Sequence, residues 1–547
     1  MKHFAKLYSE LDASTSTSAK VVALKAYFEL ALPADAAWAV FFLAGGKPRQ
    51  TVATKVLRQA ALRASGLSEW LFEESYQAVG DLAETIAHVL PVPNDVVYLG
   101  LADWMTDRLL PMRGLAPEVV IETLEGYWAT LDVSQRFLMN KLITGSFRVG
   151  VSKLLVIRGL SEATGIDKKL LSQRLMGYTD GSSPPSMEKY LTLIDTSAEA
   201  SNQQLTGQPY PFFLAHQWVQ AIDEAEYTKQ LGSPADWLIE WKWDGIRAQL
   251  VRRNDQWWLW SRGEELITDR FPELGCFALA LPNGTVLDGE VLAWDMEADQ
   301  PLAFAKLQQR IARKTLSAKL LKEVPVIFQA YDCLEFDGVD IREQPQEKRR
   351  QTLEDLAGRI RDLRLSQRVQ ENSWVSLYKL REESRARAVE GFMLKNLQST
   401  YGVGRTKADG VWWKWKIDPL TIDCVLVYAQ RGHGRRASLY TDYTFAVWDG
   451  NPRDGGKLVP FAKAYSGLTD AEFKKVDDVI RKTTIEKFGP VRSVTPTLVF
   501  ELGFEGIQIS PRHKSGIAVR FPRILRFRED KAIADADSLV SLRELLS

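Results

Sequence analysis

The sequence predicts a multidomain protein with an all-α N-terminal domain, a central α+β domain and a C-terminal β-barrel. Apolar residues recur at helical spacing early in the chain, and strand-like runs follow a stretch rich in Ser, Pro and Gly. The last part alternates apolar and polar residues between Gly-rich turns. The 547 residues suffice for three or four domains of about 100–200 residues each. We place the domains at residues 1–205, 206–418 and 419–547.

The N-terminal domain is predicted to be helical. Pro117 suits the first turn of a helix in "APEVVIETLEGYWATL", and "SQRFLMNKLI" predicts another helix that ends at Gly145. Ser68 suits the N-cap of a continuous helix in "SEWLFEESYQAVGDLAETIAHVL". The apolar face of that helix consists of Phe72, Tyr76, Val79, Ala83, Ile86 and Leu90.

The central and C-terminal domains are predicted from a change of pattern. The stretches "GYTDGSSPPSMEKYLT" and "TSAEASNQQLTGQPYP" are typical of a domain boundary with an exposed linker. Strands are then predicted in "WLIEWKWDGIRAQLVRR", "QWWLWSRG", "GTVLDGEVLAW" and "VPVIFQAYDCLEFDG". Helices are predicted in "AFAKLQQRIARK" and "PQEKRRQTLEDLAGRI", so the region is α+β. The alternation from about residue 419 onward predicts a small β-barrel.

Composition excludes several classes of protein. No apolar run approaches the roughly 20 residues that span a bilayer, and the N-terminus lacks the apolar core of a secretory signal. The three cysteines, Cys276, Cys333 and Cys424, lie too far apart for a C-x-x-C zinc or redox pattern, which favours a reducing compartment. The 70 basic and 70 acidic residues cancel, which argues against a general polyanion binder. Basic residues nevertheless cluster in 139–158 and 512–531.

Lys242 lies within a tryptophan-flanked strand, in "WLIEWKWDGIRAQL", and is a candidate nucleophile. A free lysine is almost wholly protonated at neutral pH and is therefore a poor nucleophile. Other cations or a metal nearby favour the reactive amine. Lys414 and Lys416 in "WWKWK" alternate on a predicted strand, so both point to one face and could supply that charge. The alternative interpretation of Asp244-Gly245 is a simple hairpin turn.

Two carboxylates are candidate metal ligands. Glu290 in "LDGEVLAW" and Glu390 in "VEGFMLKNL" each lie at an apolar strand. A carboxylate is costly to bury unless it is paired, hydrogen-bonded or bound to a metal. If both converge on a phosphate, they imply Mg²⁺, which prefers oxygen ligands.

The ordered motifs of the chain resemble those of the ATP-dependent DNA ligases, within the covalent nucleotidyltransferase superfamily. At about 5% per residue type, K-x-D-G-x-R occurs by chance in about 0.3% of chains of this length. The other motifs are weak individually, but their order along the chain makes them specific together. They are "SRG", "LDGE", "AYDCLEFDG", "EGFMLK", "WWKWK" and "RFREDK". The stretch "FLMNKLITGSFRVGVSKLLVIRGL" resembles the helical DNA-binding domain of archaeal and eukaryotic-type ligases. The resemblance implies a helical DNA-binding domain, an adenylation (nucleotidyltransferase) domain and an OB-fold domain.

The resemblance also implies a role for each matching residue. Lys242 would be the adenylated nucleophile, Glu240 would read the adenine edge, and Tyr331 would stack on adenine. Glu290 and Glu390 would hold Mg²⁺, and which of the two lysines of "WWKWK" contacts the α-phosphate stays open. The further residues implied to bind ATP or AMP are Arg247, Arg262, Glu290, Arg405, Lys414 and Lys416, with Arg262 also near the nick.

The remaining implied roles concern the leaving group and DNA. The C-terminal motif would orient pyrophosphate during self-adenylation through Arg528, Asp530 and Lys531. Backbone contacts with nicked duplex DNA are expected from Arg148, Lys153 and Arg310. The alternative for these basic residues is a solvated helix face without a DNA contact. Because the C-terminal domain must face ATP first and DNA afterwards, we expect it to rotate about a linker near Asp418-Pro419.

The expected reaction seals a 3′-hydroxyl/5′-phosphate nick through lysyl-AMP and an adenylated DNA 5′ end. The alternatives are an RNA ligase or capping-type guanylyltransferase, and a non-catalytic nick-binding protein. An NAD-dependent ligase is disfavoured because the chain lacks the four-cysteine zinc module expected there. We expect a monomeric, cytoplasmic enzyme with ATP and Mg²⁺ as cofactors and no membrane association.

Overall fold

The structure of the protein is a computed structural model. It describes the chain from residue 1 to 546, with gaps. The gaps are residues 48–49, 94–95, 146, 148, 180–183, 198–206, 219–223, 312, 314–315, 409, 433–438 and 489–490.

The N-terminal region is helical, as predicted. Pro117 occupies the first turn of its helix, and the helix of "SQRFLMNKLI" ends at Thr144, directly before Gly145. The helices of this region are Lys2–Ala13, Thr17–Leu30, Pro33–Leu43, Thr54–Ser65, Glu69–Val79, Leu82–Val89, Leu101–Asp103, Pro117–Trp128, Val133–Thr144, Lys153–Thr164, Lys168–Arg174 and Met187–Leu193.

The continuous helix predicted from Ser68 to Leu90 is wrong. It is two helices, Glu69–Val79 and Leu82–Val89, separated at Gly80. Gly80 has a φ of 78° and ends the first helix in the left-handed conformation. Asp81 then caps the second helix, because its side chain accepts a hydrogen bond from the Glu84 N–H. The apolar spacing continues across the break, which is why periodicity alone did not reveal it.

The chain divides into two compact units. The first comprises Met1–Arg49, Tyr98–Pro111 and Gly145–Ile417, and the second comprises Gln50–Val97, Met112–Thr144 and Asp418–Ser547. The helical region thus contributes to both units. The three domain boundaries stated above stay predictions.

The first unit contains two sheets. One has the strand order β1-β11-β10-β2, and the other has the order β4-β3-β5-β7-β8, with β6 on β5 and β9 on β7. The strands are β1 His216–Gln217, β2 Trp237–Trp243, β3 Ile246–Arg253, β4 Gln256–Ser261, β5 Thr285–Asp295, β6 Gln300–Pro301, β7 Val326–Phe336, β8 Val339–Asp340, β9 Arg364–Leu365, β10 Val389–Asn396 and β11 Trp412–Lys416. The accompanying helices are Glu224–Leu231, Gly275–Ala280, Phe304–Ile311, Ala318–Glu323, Gln346–Ala357 and Trp374–Arg381.

The Asp244-Gly245 dipeptide connects the two sheets. Strand β2 pairs with β10, whereas β3 pairs with β4 and β5. The hairpin interpretation is therefore wrong. A Cβ atom on Gly245 would lie 2.3 Å from the Val291 carbonyl oxygen, so only glycine fits at this crossing.

The second unit contains the C-terminal β region, as predicted. Its main sheet has the order β14-β13-β12-β16-β15, and β17 joins β12 to β20. Two further strands, β18 and β19, pair with each other. The strands are β12 Leu420–Arg431, β13 Tyr440–Trp448, β14 Leu458–Ala464, β15 Thr484–Phe488, β16 Val491–Val494, β17 Val499–Phe504, β18 Gly506–Ile509, β19 Ile517–Arg520 and β20 Arg523–Phe527. Its helices are Asp470–Thr483 and Leu539–Glu544.

None of the helices in the described parts of the chain is both long enough and apolar enough to cross a bilayer.

Candidate active site

Three strands bring the predicted nucleophile, a carboxylate and a cation together. Lys242 lies near the end of β2, which pairs with β10 so that Trp243 faces Val389. Strand β10 bulges between Val389 and Phe392, and Glu390 lies in this irregular segment. On its other side β10 pairs with β11, where Lys416 lies. A bulge re-aims side chains, which brings the Glu390 carboxylate to both lysines.

Glycine is required beside this carboxylate. Gly391 follows Glu390 and pairs in register with Lys416. It has a φ of 120°, and a Cβ atom there would lie 2.2 Å from the Trp415 carbonyl oxygen. The "EG" pair is therefore a structural unit, in which the glycine permits the close strand contact that positions the glutamate.

Glu390 contacts both cations through one oxygen. Its Oε2 contacts Lys242 Nζ and lies 3.4 Å from Lys416 Nζ. The side chains of Lys242, Glu390 and Lys416 are 21%, 17% and 21% exposed, so the cluster is partly open to a ligand. Of the two lysines left open above, Lys416 is beside this carboxylate, whereas Lys414 pairs in register with Met393.

Glu290 is the second carboxyl group near Lys242. It pairs in register with Arg247 across β5 and β3. Burial raises the pKa of Glu290 to about 8, although Lys242 and Arg247 oppose this shift, and Glu390 adds to it. A buried carboxyl group with an elevated pKa in a site of opposite charges is typical of a functional position.

The donor set fits Mg²⁺ better than a metal held by protein alone. Within the described ranges, no three His, Cys, Asp or Glu side chains lie close enough to form a metal site. Mg²⁺ usually takes one or two protein carboxylates and completes its shell with water and phosphate oxygens. Glu290 and Glu390 match that pattern. Burial is the main cause of the raised pKa of Glu290, and a bound cation would offset both this burial and the smaller repulsion from Glu390.

Arg247 is held by a buried carboxylate. Its Nε and Nη2 atoms lie 3.2 and 2.7 Å from the two oxygens of Asp288, whose side chain is fully buried. Nη1 donates to the Phe213 carbonyl oxygen at 2.7 Å, and the Tyr401 hydroxyl donates to Asp288 at 2.6 Å. The bidentate pair fixes the guanidinium plane, so Arg247 presents a rigid positive charge.

Glu240 lies between two protein cations. Its carboxylate is 3.0 Å from Arg350 Nη1 and 2.6 Å from Lys395 Nζ. Lys395 Nζ also lies 4.2 Å from the centre of the Tyr331 ring and donates to the Tyr331 carbonyl oxygen at 3.2 Å. Glu240 and Lys395 are each 1% exposed. This buried network links the predicted adenine-reading residue to the predicted stacking ring.

Two predicted nucleotide-binding arginines lie on exposed loops. The backbone N–H of Arg262 donates to the Arg247 carbonyl oxygen at 2.9 Å, which places the "SRG" loop beside β3. The side chains of Arg262 and Arg405 are exposed. Neither is brought into the Lys242 cluster.

The C-terminal motif forms a cluster of charges in the second unit. The Arg528 guanidinium is bidentate with Asp530, at 2.9 and 2.8 Å, and these hydrogen bonds lower the pKa of Asp530 to about 2. Asp423 Oδ2 lies 2.8 Å from Arg528 Nη1 and 2.7 Å from Lys531 Nζ. The motif is therefore ordered around a carboxylate that lies about a hundred residues earlier in the sequence.

Comparisons with known proteins cover nearly the whole chain. Family models described as DNA ligase N terminus, ATP dependent DNA ligase domain, and ATP dependent DNA ligase C terminal region match residues 1–161, 214–416 and 436–531. A probable DNA ligase of Koribacter versatilis is 31% identical, with 100% of this chain and 96% of that protein aligned. The chain belongs to the family of ATP-dependent DNA ligases.

A further relative and a solved structure of this ligase's fold agree with this family assignment. The DNA ligase of Methanopyrus kandleri is 26% identical over 99% of this chain and 98% of its own length. The solved structure named Pmar-Lig_PreS3 has a TM-score of 0.60 at 14% identity, covering 96% of this chain and 99% of that one. This likeness supports the fold, and the predicted fold class is confirmed.

The predictions for DNA contacts have three different outcomes in this ligase. Arg148 lies outside the described residues. Lys153 contacts Glu264 and donates to the Leu175 carbonyl oxygen at 3.2 Å, so its ammonium group is already engaged within the protein. Its role in DNA binding stays a prediction.

The prediction for Arg310 is corrected. Its side chain is fully buried, and its guanidinium pairs with Glu273. It also donates to the Arg270 and Val324 carbonyl oxygens, each at 2.9 Å. All of these partners are internal, so Arg310 ties its helix to neighbouring segments instead of contacting DNA. The basic residues of "LQQRIARK" alone did not distinguish an internal ion pair from an exposed basic face.

The sequence interpretation missed several ordering residues. Asp288, Arg350, Lys395 and Asp423 each bind a predicted site residue, yet none was singled out. Lys395 could have been predicted from the sequence, because it is the last residue of the "EGFMLK" motif that contains Glu390. Asp288 likewise precedes Glu290 by two residues on the same strand face.

Proposed function

We propose that this ligase seals nicks in duplex DNA with Lys242 as the adenylated nucleophile. The observation that carries the proposal is the contact of Glu390 with both Lys242 and Lys416 at the ends of three strands. A nucleophilic amine, a second cation and two carboxyl groups at one partly open point are what transfer of a nucleotidyl group requires.

In the first step, Lys242 Nζ attacks the α-phosphorus of ATP. The amine releases its proton to solvent, the new N–P bond forms as the bond to the bridging oxygen breaks, and pyrophosphate leaves with that electron pair. Lys416 would offset charge on the α-phosphate oxygens, a role supported by its position 3.4 Å from the carboxylate that contacts Lys242. Glu390 holds the Lys242 amine until the nucleotide arrives, because its carboxylate contacts that nitrogen.

The residues around the cluster have proposed positioning roles. Arg247, fixed by Asp288, would hold ribose or phosphate oxygens. Tyr331 would stack on adenine, and Glu240 would contribute to reading its edge, with Lys395 ordering both. Arg262, Arg405 and Lys414 remain proposed nucleotide contacts.

In the later steps the adenylyl group passes from Lys242 to the DNA 5′-phosphate and then leaves as AMP. The 5′-phosphate at the nick attacks the adenylate phosphorus and breaks the N–P bond, which frees Lys242. The 3′-hydroxyl then attacks the 5′-phosphorus, and AMP leaves. The remaining DNA contacts, including Lys153, would bind the phosphate backbone without reading the base sequence.

We propose Glu290 and Glu390 as the residues that hold Mg²⁺. When bound, Mg²⁺ polarises the phosphate and neutralises developing negative charge. The charge of the metal would then balance the charges of both carboxyl groups in place of Lys242. The Lys242 amine would be free to attack the nucleotide.

We also propose that the ligase acts as a monomer in the cytoplasm. Cys276, Cys333 and Cys424 are all free thiols, which agrees with a reducing compartment. The three groups of the Lys242 cluster all come from a single chain.

The direct test is sealing of a labelled nick with ATP and Mg²⁺, run beside reactions with NAD, with GTP and with a chelator. We expect sealing with ATP and Mg²⁺ and none with the chelator. Covalent labelling from GTP but not from ATP would support a capping-type enzyme instead. DNA binding without labelling from any nucleotide would indicate a non-catalytic nick-binding protein.

A further inference from the structure

Asp423 is a buried carboxylate at the centre of the C-terminal charge cluster. It lies on β12, where it pairs in register with Glu501 of β17. Its backbone N–H donates to Asp537 Oδ2 at 2.8 Å, and its carbonyl oxygen accepts from the Asp537 N–H at 2.9 Å. The side chain is 11% exposed. Backbone and side chain are thus both fixed in the sheet.

A single oxygen of Asp423 orders two cations. Oδ2 lies 2.8 Å from Arg528 Nη1 and 2.7 Å from Lys531 Nζ. Two like charges repel each other unless an anion is shared between them. Removal of the Asp423 charge would therefore leave Arg528 and Lys531 free to separate.

Asp530 is a different kind of partner. It also pairs with Arg528, at 2.8 Å, but its side chain is 63% exposed. An exposed ion pair contributes little and exchanges readily with other anions. A phosphate group could therefore replace Asp530 at Arg528 Nη2, while Asp423 stays paired with Nη1.

We propose that Asp423 is a positioning residue for self-adenylation, which holds Arg528 and Lys531 side by side so that they bind the pyrophosphate leaving group together. This inference rests on the proposed function. The Asp423 carboxylate contacts Arg528 and Lys531. It acts through the two cations while the Nζ–P bond forms and the electron pair of the breaking P–O bond leaves with pyrophosphate.

The proposal separates the reaction steps. Pyrophosphate leaves only in the first step, so disorder of Arg528 and Lys531 should slow the formation of lysyl-AMP. Sealing of a nick that already carries AMP on its 5′ end involves no pyrophosphate. That second reaction should therefore survive the loss of the Asp423 charge.

The experiment compares both reactions in the full-length protein. For Asp423→Asn, we expect the single-turnover rate of labelling from ATP to fall roughly ten- to a hundredfold, while sealing of the pre-adenylated nick stays within about twofold of wild type. Asp423→Glu keeps the charge and should recover part of the rate. The matched control, Asp478→Asn, makes the same change at an exposed position of the helix Asp470–Thr483 and should leave both rates unchanged.

Each outcome of this experiment decides the proposal. Retained sealing of the pre-adenylated nick shows that Asp423→Asn is folded, so a selective loss of labelling supports the positioning role. Equal loss of both reactions, or wild-type labelling by Asp423→Asn, overturns it. Faster labelling would identify Asp423 as an inhibitory contact and would also overturn it. Failure of the proposed function is distinguishable, because wild type itself would then not be labelled by ATP.

Discussion

The Lys416 ammonium nitrogen lies 3.4 Å from Glu390 Oε2 in this DNA ligase. The same oxygen contacts Lys242. Lys242 and Lys416 are far apart in sequence and belong to different strands, so one carboxylate orders both the proposed nucleophile and the cation proposed for the α-phosphate. This shared contact brings together residues of "KWDG", "EG" and "WKWK".

Loss of the Glu390 charge should strongly slow the adenylation of Lys242. Glu390→Gln leaves Lys242 and Lys416 without their common anion and removes a proposed Mg²⁺ ligand, so we expect labelling from ATP to fall at least about a hundredfold. Single-turnover labelling measures this effect. The control, Glu382→Gln, neutralises an exposed carboxylate on a nearby segment and should leave the rate of labelling from ATP unchanged. Comparable activity of the two variants would contradict the role given to Glu390.

Glu290 should make the ligand-free protein less stable as the pH rises. Its pKa in the folded protein is raised to about 8, above the ordinary value of 4.5. Between these values the folded state binds a proton that the unfolded state has released, so the free energy of unfolding falls with pH. Glu290→Gln should remove that part of the slope and be more stable than wild type near pH 8. Urea unfolding in the presence of a chelator, from pH 5 to 8, measures the free energy of unfolding of both proteins. If this free energy changed with pH in parallel for wild type and Glu290→Gln, the effect would be excluded.

The ring of Tyr331 should matter more than its hydroxyl group. Tyr331→Phe keeps the stacking face, so we expect a KM for ATP within about threefold of wild type, whereas Tyr331→Ala should raise it roughly tenfold. Steady-state adenylation at varied ATP concentration gives both values. If Tyr331→Phe were as impaired as Tyr331→Ala, a polar role of the hydroxyl would replace stacking.

Arg310 should affect stability and leave DNA affinity unchanged. Its guanidinium is buried and donates to the Arg270 and Val324 carbonyl oxygens, so Arg310→Ala leaves these acceptors without their donor and should cost about 1–3 kcal/mol of unfolding free energy. Denaturant unfolding measures this cost, and binding of nicked duplex at low temperature measures affinity. Arg313→Ala, on the adjacent exposed segment, is the stability control. A stable Arg310→Ala variant with weakened DNA binding would restore the original prediction.

The sequence predicted the site through its local motifs and missed the contacts that order it. Lys242, Glu390 and Lys416 could be predicted because each lies in a short pattern with its own chemistry. Arg350 and Asp423 lie outside these motifs, and Asp288 lies in "LDGE" beside the glutamate that drew the attention. The importance of all three arises only when segments far apart in sequence come together. The buried Arg310 and the helix break at Gly80 were misjudged for a related reason. Charge and apolar spacing describe one element at a time, whereas burial and capping depend on what surrounds it.

The central claim is that the Lys242 amine carries AMP. Incubation of the purified protein with ATP and Mg²⁺, followed by proteolysis and mass spectrometry, locates the modified residue. We predict a single AMP adduct on the peptide that contains Lys242, absent from Lys242→Ala, while that variant still binds nicked DNA. An adduct on another residue, or AMP incorporation by Lys242→Ala at the wild-type level, would contradict the account.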